Sequence, residues 1–167
     1  MSRDKLLSLN ITSEQDTIGL AQALAQLVSS SDCLLLQGDL GAGKSAFARA
    51  LIKALPLGST QALITEVPSP TYMLMLDYPY AQGLAVHADL YRLSNREEAE
   101  EIGLFDLFGT ALLLIEWPER IRESWPAEAL LMTIDIKEND HRSISFYGQQ
   151  NWAQRLKDLK ENKQQAG

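Results

Sequence analysis

Leu6 to Ile11 alternates loosely between apolar and polar positions, the period-two pattern of a half-buried strand. Thr12-Ser13-Glu14-Gln15 then carries the signals of a helix start. Thr12 and Gln15 fit the capping-box spacing, and Asp16 adds negative charge to the first turn. Ile18, Ala21, Leu24, Ala25 and Val28 recur at helical spacing, and Ser29-Ser30-Ser31 ends the helix. Cys33-Leu34-Leu35-Leu36-Gln37 is a short unbroken apolar run, as expected for a central strand buried on both faces. Beyond a glycine-rich stretch, Phe47, Ala50, Leu51, Ala54 and Leu55 mark a second helix, stopped by Pro56 and Gly58.

The second half repeats the alternation. Thr71 to Leu76 and Leu84 to Asp89 read as two strands, with a turn around Pro79 and Gly83 that predicts an antiparallel hairpin. Asn95 is placed to cap a helix carrying Ala99 and Ile102, which Gly103 ends. Ala111 to Ile115 is another buried strand, closed by Glu116. Leu130 to Ile136 and Ser143 to Phe146 predict a final hairpin turning at Glu138-Asn139-Asp140. Trp152, Leu156 and Leu159 line one side of a terminal helix, and a polar tail from about residue 161 is expected to fray. No internal repeat or long linker divides the chain, so residues 1–167 are expected to form a single domain.

Composition narrows the class. Hydrophobic residues are 46% of the 167, enough for an ordinary soluble core. No apolar run is long enough for a membrane span, and the first residues lack a secretion signal, so a cytoplasmic location is expected. The single cysteine, Cys33, has no internal disulfide partner and reads as a buried apolar side chain. The net charge is −7, with no evident basic face, so any link to nucleic acid is expected to run through a partner.

Gly38-Asp39-Leu40-Gly41-Ala42-Gly43-Lys44-Ser45 fits G-x-x-x-x-G-K-[ST], the P-loop that wraps the phosphates of a nucleoside triphosphate. Its flanks are right, with a strand before it and a helix after it. Main-chain N–H groups from Leu40, Gly41, Ala42, Gly43, Lys44, Ser45 and Ala46 are the expected phosphate cradle, helped by the positive end of the helix dipole. Lys44 is expected to reach the β- and γ-phosphates, and Ser45 to hold Mg²⁺. The fold expected is therefore α/β: a P-loop NTPase-like three-layer structure with a mixed central sheet flanked by helices.

Hydrolysis also needs a carboxylate near the metal or the attacking water. Glu116 ends an apolar strand in the Walker B manner, with Glu in place of the commoner Asp. Asp89 ends another strand. Ligands of open α/β sheets lie at the carboxyl ends of strands, so both can face the metal. The plainer readings are a surface charge for Glu116 and a turn-capping Asp for Asp89. Ser69-Pro70-Thr71-Tyr72 is either a switch segment sensing the γ-phosphate or a proline-stiffened loop. His87 reads as an ordinary strand histidine, Trp117 as a packing residue or a stacking surface, and Glu97, Glu98, Glu100 and Glu101 as a solvated helix face. No arginine is clearly placed as a finger on the γ-phosphate, and Arg92 is the nearest candidate.

Taken in order, the P-loop, Ser69-Pro70-Thr71-Tyr72, His87-Ala88-Asp89-Leu90-Tyr91-Arg92 and Glu116-Trp117-Pro118-Glu119 resemble the TsaE (YjeE) family of bacterial ATPases over roughly Leu6 to Phe146. The resemblance implies an ATPase needed for threonylcarbamoyladenosine formation in tRNA, acting with the TsaB–TsaD pair and meeting tRNA only indirectly. It implies ATP and Mg²⁺ as cofactors. It also implies Lys44, Asp89 and Glu116 as catalytic residues, Ser45 and Glu116 at the metal, and Ser69 and Thr71 in a switch-like loop. The adenine is expected near the start of the first helix, with Ser13 and Gln15 as candidates. Ser45 stands where the family usually has Thr, which supplies the same hydroxyl. Slow hydrolysis alone and faster turnover with partners are expected. The competing classes are a small-molecule kinase on the same scaffold, for which no arginine-rich lid is visible, and a GTPase switch, for which no Asn-Lys-x-Asp guanine reader is present. A third is a non-catalytic nucleotide-dependent binding module.

Overall fold

The computed structural model describes residues 2–58, 67–68 and 73–164. The strands are β1 (Asp4–Ile11), β2 (Cys33–Gly38), β3 (Met75–Tyr80), β4 (Gly83–Asp89), β5 (Leu112–Glu116), β6 (Leu130–Ile136) and β7 (Arg142–Gly148). The helices are α1 (Glu14–Ala25), α2 (Lys44–Ala54), α3 (Arg96–Glu101), α4 (Gln150–Arg155) and α5 (Lys157–Gln164), with 3-10 turns at Leu104–Leu107, Pro118–Ser124 and Glu138–Asp140.

The strands form one mixed sheet of order β1-β7-β6-β2-β5-β4-β3. Its centre, β6-β2-β5-β4, is parallel, while β7 pairs antiparallel with β6, β1 antiparallel with β7, and β3 antiparallel with β4. The unbroken apolar runs are explained by burial on both faces. Leu34, Leu36, Leu112 and Leu114 pack with Leu24 of α1, Phe47 and Leu51 of α2, and Trp152. Cys33, Leu35, Leu113 and Ile115 pack on the opposite face with Ala99, Leu104 and Ile121. A slip of one residue would exchange the two sets, so this register is strongly specified. The three-layer α/β architecture is the one expected.

Local details depart from the sequence reading. Ser13, and not Thr12, is the N-cap of α1: its hydroxyl accepts the Asp16 N–H at 3.1 Å. Asp16 then reaches back to the Thr12 N–H and hydroxyl, at 3.0 and 2.9 Å, a task the sequence reading gave to Gln15. These bonds hold the Asp16 carboxyl below its usual pKa. In the β3–β4 hairpin the turn is Ala81-Gln82, and Pro79 lies inside β3 opposite Leu84. An edge strand tolerates proline, because its missing N–H has no neighbour to bond. The terminal helix is divided at Leu156. The break follows Arg155, whose guanidinium lies over the Trp152 ring and bonds Leu27 O and the Asp32 carboxylate. Trp152, Leu156 and Leu159 are buried together as expected.

Candidate active site

The glycine-rich stretch joins β2 to α2, and its shape depends on glycine. Gly41 and Gly43 have φ of 78° and 107°, which side chains rarely tolerate. A Cβ on Gly38 would sit 2.7 Å from the carbonyl oxygen of Ile134. Helix α2 begins at Lys44, so the first N–H groups of the helix have no partner within it and are available to an anion.

Lys44 is only 5% exposed. Its Nζ donates to Gly38 O at 2.6 Å and Asp39 O at 2.9 Å and lies 4.2 Å from the centre of the Trp117 ring. Burial pulls its pKa below the usual lysine value, opposed by the nearby Glu116, Glu119, Asp89 and Asp39. Trp117 has φ of 56°, an unusual backbone for a non-glycine residue, and its ring also lies 4.8 Å from that of Tyr91. It is therefore a packing residue within the site, lying under a cation and tilted against a tyrosine.

The carboxyl ends of β4 and β5 deliver the acids. The two strands pair in parallel, with Asp89 opposite Glu116. Glu116 is 2% exposed and Asp89 is 6% exposed, so neither is a free surface charge. The Ser45 hydroxyl donates to both Glu116 oxygens, at 2.8 Å to Oε1 and 2.9 Å to Oε2. His87 Nε2 lies 2.7 Å from Glu116 Oε1. Asp89 Oδ1 accepts the Tyr91 N–H at 3.0 Å, so Asp89 caps a turn and faces the site as well.

These groups line a cleft of about 390 Å³, with Leu40, Gly41, Gly43, Lys44, Ser45, Asp89 and Glu116 in its walls. Arg49 is there too, and Arg92 is not among the lining residues. Arg49 follows Ser45 by four positions on α2, one helical turn along the same face, a spacing that the sequence displays. A second cleft of about 350 Å³ adjoins it through Gly43 and Ala46. Ser13, Ala42, Phe47, Ile134, Arg142 and Ile144 line this one. Arg142 Nε donates to Ala42 O at 3.1 Å and its Nη2 to Gly41 O at 3.4 Å, tying β7 to the loop. Nothing in the sequence marked Arg142.

The structure thus gathers Leu40, Gly41, Ala42, Gly43, Lys44, Ser45, Ala46, Asp89 and Glu116 at one place, with Ser13 in the adjoining cleft. Gln15 stands apart, lining a separate groove with Gly19, Leu20 and Leu159. Ser69 and Thr71 lie outside the described residues. Among the described residues no group of three or more His, Cys, Asp and Glu is set to hold a metal. Mg²⁺ requires no such cage: it takes one or two hard protein oxygens, phosphate oxygens and water. The adjacent hydroxyl of Ser45 and carboxylate of Glu116 are donors of that kind. No helix among the described residues is long and apolar enough to cross a membrane.

A model of the family described as threonylcarbamoyl adenosine biosynthesis protein TsaE matches residues 11–144. The chain is 36% identical over 137 residues to the tRNA threonylcarbamoyladenosine biosynthesis protein TsaE of Aquifex aeolicus, covering 82% of this chain and 92% of that one. The protein of the same name from Bacillus subtilis is 33% identical over 143 residues, 85% of each chain. Among solved structures, YdiB of Bacillus subtilis matches with a TM-score of 0.69 at 25% identity, covering 98% of this chain and 99% of that one.

Proposed function

The chain belongs to the TsaE family, and from that premise we propose that it binds ATP with Mg²⁺ and hydrolyses it in support of threonylcarbamoyladenosine modification of tRNA. It would do so as a subunit working with the TsaB–TsaD pair, in the cytoplasm. The observation that carries this reading is the contact of Ser45 with Glu116 in the same cleft as a buried Lys44, with Asp89 on the neighbouring strand. An ordinary glycine turn has no reason to converge a buried lysine and two buried carboxylates.

The roles follow from position. Main-chain N–H groups of the loop and the first turn of α2 receive phosphate oxygens. Lys44, now held on the carbonyls of Gly38 and Asp39, exchanges them for phosphate oxygens. Ser45 and Glu116 supply the oxygens for a divalent cation. When bound, Mg²⁺ neutralises charge developing on the β- and γ-oxygens. Asp89, fixed by the Tyr91 N–H, orients the attacking water. Arg49 adds a second cation to the cleft wall, where charge stabilisation by arginine is worth about a thousandfold or more. Base and ribose occupy the adjoining cleft by Ser13.

The phosphate cleft has an open rim, with Leu40 74% exposed and Tyr91 44% exposed. Excluding water there calls for a second surface, which supports slow hydrolysis by the chain alone and faster turnover with TsaB–TsaD. The net charge of −7 supports indirect contact with tRNA. Phosphate release from γ-labelled ATP, measured with and without the TsaB–TsaD pair, tests the reading. Label released as inorganic phosphate, faster with partners, is expected. Equal rates would refute the coupling, and label in any other product would favour a kinase.

A further inference from the structure

His87 is fully buried on β4. Its Nε2 lies 2.7 Å from Glu116 Oε1, and its Nδ1 has no hydrogen-bond partner among the described residues. A buried imidazole with one unsatisfied nitrogen is a costly way to fill space that an apolar side chain would fill better. Among the described residues its one polar contact is with Glu116. Register explains how it arises. In the parallel β4–β5 pair His87 sits opposite Leu114, one alternation before Asp89 opposite Glu116. The imidazole therefore shares a sheet face with Asp89 and reaches diagonally to the strand-end carboxylate.

Glu116 is then held from two sides. Ser45 approaches from α2, and His87 from within the sheet, both on Oε1. A terminal carboxylate rotates easily about its last torsion unless such bonds stop it. We propose that His87 is a positioning residue: as the Nε2–H tautomer it donates to Glu116 Oε1 and fixes the plane in which that carboxylate offers its remaining lone pairs to a divalent cation beside Ser45. The inference rests on the reading of Ser45 and Glu116 as the metal's protein oxygens. It goes beyond that reading by giving a task to a residue which otherwise looks like ordinary core.

Binding of Mn²⁺ to the protein–ADP complex, followed by paramagnetic resonance, reads the metal site without turnover. ADP affinity in EDTA reads the loop separately. His87→Leu is expected to weaken Mn²⁺ by about 10–100-fold while ADP affinity in EDTA stays unchanged. His87→Gln, whose amide reaches the position of Nε2, is expected to restore Mn²⁺ affinity to within about threefold of the wild type. The shorter His87→Asn is not. Unchanged Mn²⁺ affinity in His87→Leu overturns the proposal, as does an equal loss of ADP affinity in EDTA, which would mark a general packing role. If His87→Leu does not fold, Gln against Asn decides, and equal Mn²⁺ affinities overturn it. With only two histidines in the chain, a nitrogen-15 spectrum reads the tautomer directly, and a proton on Nδ1 would also refute it. Failure of the underlying reading is visible earlier and separately: the wild-type protein would bind no ADP, or bind ADP without Mn²⁺, and the proposal would fall with it.

Discussion

The cleft beneath Lys44 and the cleft beside Ser13 share Gly43 and Ala46, yet they are built differently. The first is made of charge: a buried lysine, an arginine and two carboxylates delivered by strand ends in register. The second sets Ile11, Phe47, Ile134 and Ile144 in its wall, with its charges, Glu14, Asp140 and Arg142, exposed or half-buried and none of them fully buried, and it is assembled from β1, α1, α2, β6 and β7. The parallel centre of the sheet forms the first, because parallel strands deliver their carboxyl ends to one edge. The second needs the antiparallel flank as well. On the proposed reading, one cleft would take the part common to all nucleoside triphosphates, and the other the part that differs.

The comparison breaks most visibly at Glu116. Glu116→Gln keeps the volume and removes the charge that Ser45 and His87 address. Turnover with partners should fall by about 100-fold or more, the usual scale for losing one preorganised electrostatic group. ADP affinity in EDTA should be unchanged. Normal phosphate release by this variant would show that the first cleft is not the chemical one.

Lys44→Ala comes next. Its ammonium is expected to make charge-assisted bonds to phosphate worth about 3 kcal/mol in all, so ATP affinity should fall roughly 100-fold by calorimetry. Stability should change little, because Lys44 bonds only carbonyls of its own loop and its burial is unfavourable. An unaltered affinity would move the triphosphate elsewhere.

The same contrast decides what the sequence revealed. The charged cleft was legible because its parts are local: the loop is contiguous, and Glu116 and Asp89 each end an apolar run. Local ambiguity caused the errors. Thr12 with Gln15 and Ser13 with Asp16 both have cap spacing, and the shorter acid won by reaching the Thr12 N–H. Ser13, the cap, lines the second cleft, while Gln15 lines a separate groove. Arg49 lines the charged cleft although only its i+4 relation to Ser45 marks it in the sequence, while Arg92, the nearest candidate there for an arginine finger, is exposed and does not line it. His87 differs again. Its alternation with Asp89 was visible, but the bond to Glu116 depends on which strand lies next to β4, and no local pattern states strand order. Arg142 depends on two further pairings, β7 with β6 and β6 with β2, before it meets Ala42.

Arg142 sharpens the comparison, since it braces the loop from the second cleft. Arg142→Ala removes the bonds to Ala42 O and Gly41 O. ATP affinity should fall about tenfold, matching roughly 1.4 kcal/mol, with turnover at saturation preserved. Arg142→Lys should recover little, because lysine offers a single nitrogen where the rigid guanidinium sets Nε and Nη2 on separate carbonyls. Equal losses in affinity and saturated turnover would make Arg142 part of the chemistry and blur the division between the clefts.

The smallest expected effect is a proton count. Burial depresses the Lys44 pKa from 10.5, so between the folded value and 10.5 the unfolded chain binds more protons than the folded one. Over that alkaline interval the Lys44 contribution to stability rises with pH, and it is lost again as pH falls through the folded value. A bound triphosphate supplies the opposite charge that burial denies, and so raises the same pKa. Binding should then take up a fraction of a proton, seen by calorimetry in alkaline buffers that differ in ionisation enthalpy. Lys44→Met should abolish both that uptake and the alkaline slope in denaturant stability, whereas Arg142→Ala should leave both in place. Uptake that survives in Lys44→Met would assign the proton to another group and remove the electrostatic distinction between the two clefts.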